Sequence, residues 1–454
     1  MSSISPAIAP KAIETSQAKD GRYQSWGRYP RTTHRRVSKV YWRDEIPELL
    51  QRAEPGSLLP YGMGRSYGDS CLNDNRDLLD CSAINRILEF DWETGRIRVE
   101  SGVILGDLLE VIVPHGWFLP VTPGTKFVTI GGAIANDVHG KNHHRAGTFG
   151  CYVDQLMLYR SDSEPIACSR SSNADLFQAT IGGLGLTGVI GWADLRLKRI
   201  TGNTIDAERL PFSGLDEFLT LSCSSDEHFE YTVAWIDCLS GSRMRGIFFR
   251  GNHGESYRRR RVREWKVPFT LPEFLLSQAT VSVLNRGYRH LNARNSGRSI
   301  VQYDNFFYPL DAVLNWNRLY GRRGLVQYQC VVPRSEAEAL RQLVARVSAS
   351  GEGCFLAVLK AFGEIPSPGM LSFPRPGLTL TLDVPMRGRR TLALLDSLDE
   401  LVLANGGALY PAKDARMSAS IFQAGFPNWK RFGSFIDAKL SSSFWRRVTQ
   451  EGTA

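Results

Sequence analysis

Between His139 and His144 the chain reads His-Gly-Lys-Asn-His-His, its densest run of groups able to ligate a metal, move a proton or hold an anion. Two histidine ligands at i and i+4 share a face only on a helix. Gly140 and the glycine-rich flanks argue against a helix there, and no carboxylate or cysteine cluster completes a site, so no metal is expected. His139 then reads as a proton-handling group or as a hydrogen-bonded core histidine. The second candidate is Tyr410-Pro-Ala-Lys-Asp-Ala-Arg416. Lys413, just past a strand end, could hold a phosphate, orient a hydroxyl or, once desolvated, approach the neutral state that accepts a proton. The plainer alternative is a surface ion pair with Asp414.

Those residues need a scaffold, and the stretch around His139 indicates which kind. From Pro123 to Gly150 glycines sit among small residues, a mix suited to backbone lying against a bulky ligand. Gly62-Met-Gly-Arg-Ser-Tyr-Gly68 follows a strand expected at Ser57–Tyr61, but what comes next is turn-like rather than helical, so a Rossmann fingerprint fails on context. Gly183-Leu-Gly-Leu-Thr-Gly188 matches G-x-G-x-x-G with the order of elements inverted, a helix before and a strand after. The three loops read together as backbone laid along one dinucleotide-type cofactor, with His139 and Lys141 where its reactive end meets substrate.

Further along, two strand–helix–strand units are expected. Leu325–Val332 leads to a helix opened by a Ser335/Glu338 capping box and closed at Gly351, then to Phe355–Phe362. Leu378–Val384 leads to a helix through Leu394–Val402, then to Ala408–Ala412. Alternate strand residues share a face. Gln327 and Gln329 therefore lie together, as do Thr379, Thr381 and Asp383, and Lys360 lies with Phe362. Amide, hydroxyl, carboxylate and ammonium groups differ from an ordinary solvated Lys/Glu face and read as a binding surface.

The 454 residues leave room for two or three domains, with a boundary near residue 200 where the glycine loops thin out. Eight scattered cysteines without metal or disulfide spacing fit a reducing compartment. No apolar run is long enough to span a membrane, and the first 22 residues read as a disordered tail without a secretory leader. The net charge of +9 favours anionic partners but gathers into no nucleic-acid module, so nucleic acid is not expected. Arg258-Arg-Arg-Arg-Val-Arg with the apolar segment after it reads as a mobile surface loop over 255–297, doubling as a lid against an anionic membrane.

The first glycine loop through Asp69, the His139–His144 motif, Gly182–Gly188, Leu325–Gln329, Leu359–Gly363 and Tyr410–Arg416 together resemble the decaprenylphosphoryl-β-D-ribose 2′-oxidase family, vanillyl-alcohol-oxidase-like flavoproteins. The likeness runs from about Trp26 to the C-terminus. It implies an α+β fold: a two-lobed PCMH-type FAD-binding domain (23–200 plus 408–454) with an inserted substrate domain (201–407) on an antiparallel sheet. FAD would be held by Tyr61, Gly62, Met63, Gly64, Arg65, Ser66, Tyr67, Gly68, Asp69, Gly124, Thr129, Ile130, Gly131, Gly132, Asn136, Asp137, Val138, His139, Ile190 and Tyr410. Substrate would meet Tyr67, Gln327, Gln329, Lys360, Phe362, Thr379, Thr381 and Lys413, with Lys413 and His139 catalytic.

The implied reaction oxidises the 2′-hydroxyl of a polyprenylphosphoryl-β-D-ribose to the 2-keto sugar, with hydride passing to flavin N5. A quinone-type acceptor, a short-chain reductase for the second step and an anionic membrane surface would be partners, at a cytoplasmic, peripheral inner-membrane location. Two departures stand out. Arg65 occupies the place where relatives with covalent flavin often carry histidine, implying noncovalent FAD. Thr381 stands where mycobacterial members have cysteine, so no nucleophile is expected there. Two other readings are a soluble alditol or sugar-lactone oxidase, and a membrane-surface or anionic-glycan binding protein with a degenerate site.

Overall fold

The computed structural model describes residues 15–16, 22–258, 264–272 and 276–449. Most of the expected N-terminal tail and Arg259–Arg263 of the basic run lie outside the described residues. Thr15–Ser16, within that tail, instead pair with Ser38 and Val37.

The chain opens with β1 (Arg36–Lys39), α1 (Ile46–Arg52), β2 (Leu58–Tyr61) and β3 (Asp77–Asp80), where β3 pairs in parallel with both β1 and β2. A second sheet follows: β4 (Ile87–Asp91) and β5 (Arg96–Glu100) form the hairpin that Glu93-Thr-Gly95 signals. With β6 (Val153–Tyr159), β7 (Ile166–Ser169) and β8 (Val189–Arg196) it is ordered β4-β5-β8-β6-β7. α2 (Leu105–Ile112) buries Leu105, Leu108, Leu109 and Ile112, the i, i+3, i+4, i+7 stripe of an amphipathic helix. The glycine stretch holds a helix that its composition hides, α3 (Ile130–Ala135). Thr129 caps it, accepting from the Gly132 N–H at 3.1 Å, and Ile130, Ala133 and Ile134 are fully buried. Burial of that apolar face outweighs the poor propensity of two glycines.

An eight-stranded antiparallel sheet occupies the middle of the chain. Its members are β9 (Thr204–Ser213), β10 (Tyr231–Ile236), β11 (Arg245–His253), β12 (Gly297–Gln302), β13 (Leu325–Val332), β14 (Ala357–Phe362), β15 (Gly377–Pro385) and β16 (Ala408–Leu409). They are ordered β12-β9-β11-β10-β14-β15-β13-β16. The two strand–helix–strand units interleave, since β13 and β14 flank β15 and are both antiparallel to it. The helix between them, Ala337–Ser350, starts after a 3-10 turn at Arg334–Glu336 without a side-chain cap, so the Ser335/Glu338 capping box does not form. β16 pairs with β13, so a cut at 407 would sever the sheet's edge strand.

The 255–297 loop is corrected over its last part: Gln278–Arg294 form a 17-residue helix, called here the portal helix. Ser277 Oγ caps it by accepting from the Thr280 N–H at 3.3 Å, and Val281 and Asn285 seat it on the protein.

After β16 the chain returns to the first sheet. Gly56 and Leu58 donate backbone hydrogen bonds to Ala438 and Lys439, and Ser441 returns one to Leu58. Arg447 joins Asp69, at 2.6 Å, to Asp414, at 2.9 Å. Both carboxylates are buried, and removing one partner of a buried pair leaves an uncompensated charge. Arg447→Met should therefore cost roughly 3–5 kcal/mol, read as a lower urea midpoint of the holoprotein; an unchanged midpoint would show the triad to be dispensable.

Candidate active site

A cavity of ≈ 620 Å³ lies between the glycine loops and one face of the eight-stranded sheet. Its wall includes Tyr61 to Tyr67, Gly124, Thr129, Gly131, Gly132, Asn136, Val138, His139, Ile190 and Tyr410 on one side. Gln327, Gln329, Lys360, Thr381 and Lys413 stand on the other.

Six residues expected to touch ligand do not line the cavity. Gly68 lets two loops meet: a Cβ there would lie 1.5 Å from the Asp414 carbonyl oxygen. Asp69 turns away to Arg447. Ile130 is core. Asp137 is fully buried, accepting from the Gly150 N–H at 2.8 Å and Ser372 Oγ at 2.5 Å. Phe362 wedges between the rings of His139, at 4.8 Å, and His143, at 4.4 Å. Thr379 lies one layer back, accepting from Gln329 Nε2 at 3.1 Å.

The loops are pinned to one another. The Tyr67 N–H donates to the Ala412 carbonyl at 3.0 Å, and Tyr410 Oη donates to the Asn136 carbonyl at 2.8 Å. Gly64 sits at φ +58 with the Tyr61 hydroxyl where a Cβ would project, so only glycine fits. Arg65 lays its guanidinium against Trp26, 4.1 Å from the ring centre, and Nε donates to the Phe127 carbonyl at 3.2 Å.

At the polar end of the cavity the His139 ring bridges two strands. Gln329 Nε2 lies 2.9 Å from its Nε2, and Lys360 Nζ lies 3.1 Å from its Nδ1. Burial first, then the charges of Lys360, His143 and Lys413, push the imidazole well below its ordinary pKa, so it is neutral at pH 7. A neutral ring carries one proton. With Gln329 Nε2 donating to His139 Nε2, that proton sits on Nδ1 and Lys360 meets it as a free amine. Turning the amide over moves the proton to Nε2 and lets Lys360 donate as an ammonium. Lys360 suits both roles, because burial and the charges of Lys141 and Lys413 lower it to about 7.

Lys413 stands 4.2 Å over the Tyr67 ring. Burial lowers it to about 8, against the pull of Asp383. Lys141 also lines the cavity, but its Nζ is held by the carbonyls of Phe306 at 2.7 Å and Phe307 at 3.0 Å. It fastens a wall segment rather than marking the reactive end.

The sequence reading missed the apolar half of the wall. Ala207, Val233, Trp235, Phe249 and Val301 come from the first strands of the large sheet, and Tyr288 and Asn292 from the portal helix. Alternation could not single them out, because β10 is covered on both faces and reads as ordinary core.

A family model described as an FAD binding domain matches residues 43–169. Decaprenylphosphoryl-β-D-ribose oxidase of Mycolicibacterium smegmatis is 34% identical over 435 residues, 92% of this chain and 94% of that protein. The chain belongs to this family. An uncharacterized protein of Streptomyces coelicolor is 35% identical over 342 residues, covering 72% of this chain and 92% of its own length. Mouse L-gulonolactone oxidase is 31% identical over 180 residues, only 38% of this chain and 39% of the mouse protein.

The wall fits the dinucleotide that the domain implies. Backbone of all three loops borders the cavity, and Cβ positions at Gly124 and Gly185 face open space. Its basic side chains are Arg65, Lys141, Arg209, Lys360 and Lys413, against one acid, Asp311, a balance suited to a pyrophosphate or a phosphodiester. Because Gly68 admits the Asp414 carbonyl, Gly68→Ala should drive the 410–416 loop off the first glycine loop. The variant is expected to lose flavin, read as a lower ratio of 450 nm to 280 nm absorbance after purification, although residue 68 itself lies off the cavity wall.

Proposed function

We propose that the protein is an FAD-dependent oxidoreductase that oxidises the 2′-hydroxyl of a polyprenylphosphoryl-β-D-ribose to the 2-keto sugar, the first half of epimerisation to an arabinose donor. The observation that carries this reading is the grading of the sheet face. Trp235, Val358, Thr381 and Gln329 follow one another across adjacent strands, an apolar-to-polar run of roughly 14 Å at the usual strand spacing. A sugar at the Gln329 end and an isoprenoid chain toward Trp235 and Tyr288 match that grading, and the cation excess matches the phosphodiester.

FAD, held noncovalently by the glycine loops that line the cavity, would supply the acceptor for the hydride of the carbinol carbon. Lys413 as an ammonium orients the hydroxyl and offsets the negative charge that develops on its oxygen. His139 seats the sugar, and the His139–Lys360 pair receives the hydroxyl proton. Gln329 and Thr381 hold neighbouring hydroxyls. The electron acceptor is a quinone, and a short-chain reductase completes the epimerisation.

A soluble alditol or sugar-lactone oxidase is the competing reading. The gulonolactone oxidase likeness favours it, but that match covers little more than a third of this chain. Turnover of a polyprenylphosphoryl ribose with a quinone, against free pentitols with O₂, separates the two. Lys413→Ala should keep bound FAD and lose about 10²–10⁴-fold in turnover; loss of flavin instead would make the residue structural.

The lipid substrate implies a place at a membrane surface. No helix among the described residues is long and apolar enough to cross one. The portal helix would lie in that surface: Tyr288 and Asn292 line the cavity while Val283, 67% exposed, and Leu291, 61% exposed, face outward. Arg286, Arg289 and Arg294 are spaced along the same helix. Apolar residues flanked by cations are the pattern of an interfacial helix. Co-sedimentation with vesicles of anionic lipid should fall severalfold in Val283→Ser/Leu291→Ser; unchanged binding would remove the helix from the interface.

A further inference from the structure

Asp383 is a buried acid that the chemistry above leaves unused. It stands on β15 with no exposed surface. Its cross-strand neighbour Gln327 donates from Nε2 to Oδ1, while Oδ2 has no hydrogen-bond partner among the described residues. Gln327 shares the cavity wall with Tyr67, whose ring lies under the Lys413 ammonium. A buried carboxyl oxygen without a donor is costly unless a proton or a nearby cation compensates it. The cation acting on Asp383 is Lys413, and Asp383 in turn is the acid acting on Lys413. The other ionisable groups around it are Tyr67 from the first glycine loop, Tyr320 from the turn before β13 and Cys354 from the approach to β14. Burial drives all three upward, so they are neutral.

We propose that Asp383 is a positioning residue that keeps Lys413 an ammonium inside the cavity, acting from the sheet beside Gln327. This rests on the role given to Lys413 above. Burial pushes Asp383 up to about 7 and Lys413 down to about 8. Between those values both groups are charged; at higher pH Lys413 loses its proton and the rate falls. Without the carboxylate, Lys413 titrates lower still, because an opposite charge at close range is worth about one to three pH units.

The test is the pH dependence of kcat/KM for a polyprenylphosphoryl ribose in the holoenzyme, compared with Asp383→Asn, Lys413→Arg and the double variant. Asparagine still offers Gln327 an acceptor. The alkaline limb should move down by about one unit or more in Asp383→Asn. It should be absent with arginine at 413, and Asp383→Asn should then shift nothing further. A second readout is calorimetric binding of the corresponding polyprenyl phosphate, whose affinity should weaken at correspondingly lower pH in Asp383→Asn.

A wild-type limb that Asp383→Asn leaves in place overturns the inference, as does a shift that persists with arginine at 413. Absence of any turnover by the wild type would instead count against the functional reading, and the calorimetric titration then decides the role of Asp383. If Asp383→Asn does not fold with FAD, Gln327→Met, which removes the donor to the same carboxylate, should move the limb in the same direction. A limb left in place there overturns the inference equally.

Discussion

Taking an ammonium out of water costs several kcal/mol unless something nearby answers its charge. This cavity holds Lys141, Lys360 and Lys413 together, and each is answered differently. Lys141 meets two backbone carbonyls, Lys360 an imidazole nitrogen, and Lys413 an aromatic face with a carboxylate acting on it. The differences set what each can do. A lysine fixed between carbonyls fastens a wall. One facing a neutral ring can give or take a proton, and one beside a carboxylate stays charged.

The fold serves to bring these groups to one place from distant parts of the chain. His139 lies in the glycine stretch, Lys360 on β14 and Lys413 beyond β16. Their meeting depends on contacts that look merely structural, namely Gly68 under the Asp414 carbonyl, the Tyr410 hydroxyl on the Asn136 carbonyl and the Arg447 triad. None of these lies where the hydroxyl reacts, yet each sets the distance between the lobes. The C-terminal segment, threaded back beside β2, closes the arrangement.

The α+β architecture came from the family resemblance, while individual strands and helices were legible where they alternate, run apolar or carry clear stripes. Leu325–Val332 falls where its apolar run puts it. α3 was not legible, since two glycines argue for a loop and only tertiary burial of Ile130 and Ile134 makes it a helix. The polar members of the sheet face could be read because Gln327, Gln329 and Lys360 contrast with their apolar neighbours. Asp137 and Thr379 show the limit of that reasoning. The family resemblance suggested ligand contact for Asp137 and the strand face suggested it for Thr379, but their hydrogen bonds are taken by Ser372, Gly150 and Gln329 within the protein. The apolar wall gave no contrast at all, because Trp235 facing a cavity and Trp235 facing a core present the same residue type in the same alternation.

The division between what is shared and what is particular follows from the same geometry. The matched FAD-binding domain ends at residue 169, before the large sheet begins at Thr204. A likeness confined to such a region carries the cofactor's cradle but not the surface opposite it. Under the proposed function, substrate choice would lie on that opposite surface, in the order of side chains from Gln329 through Thr381 and Val358 to Trp235. Replacing polar groups at one end would alter which hydroxyls are held, while filling the trough near Trp235 and Tyr288 would exclude a long chain without touching the reactive end. The two lobes can therefore diverge independently, provided the contacts that fix Lys413 against His139 are kept.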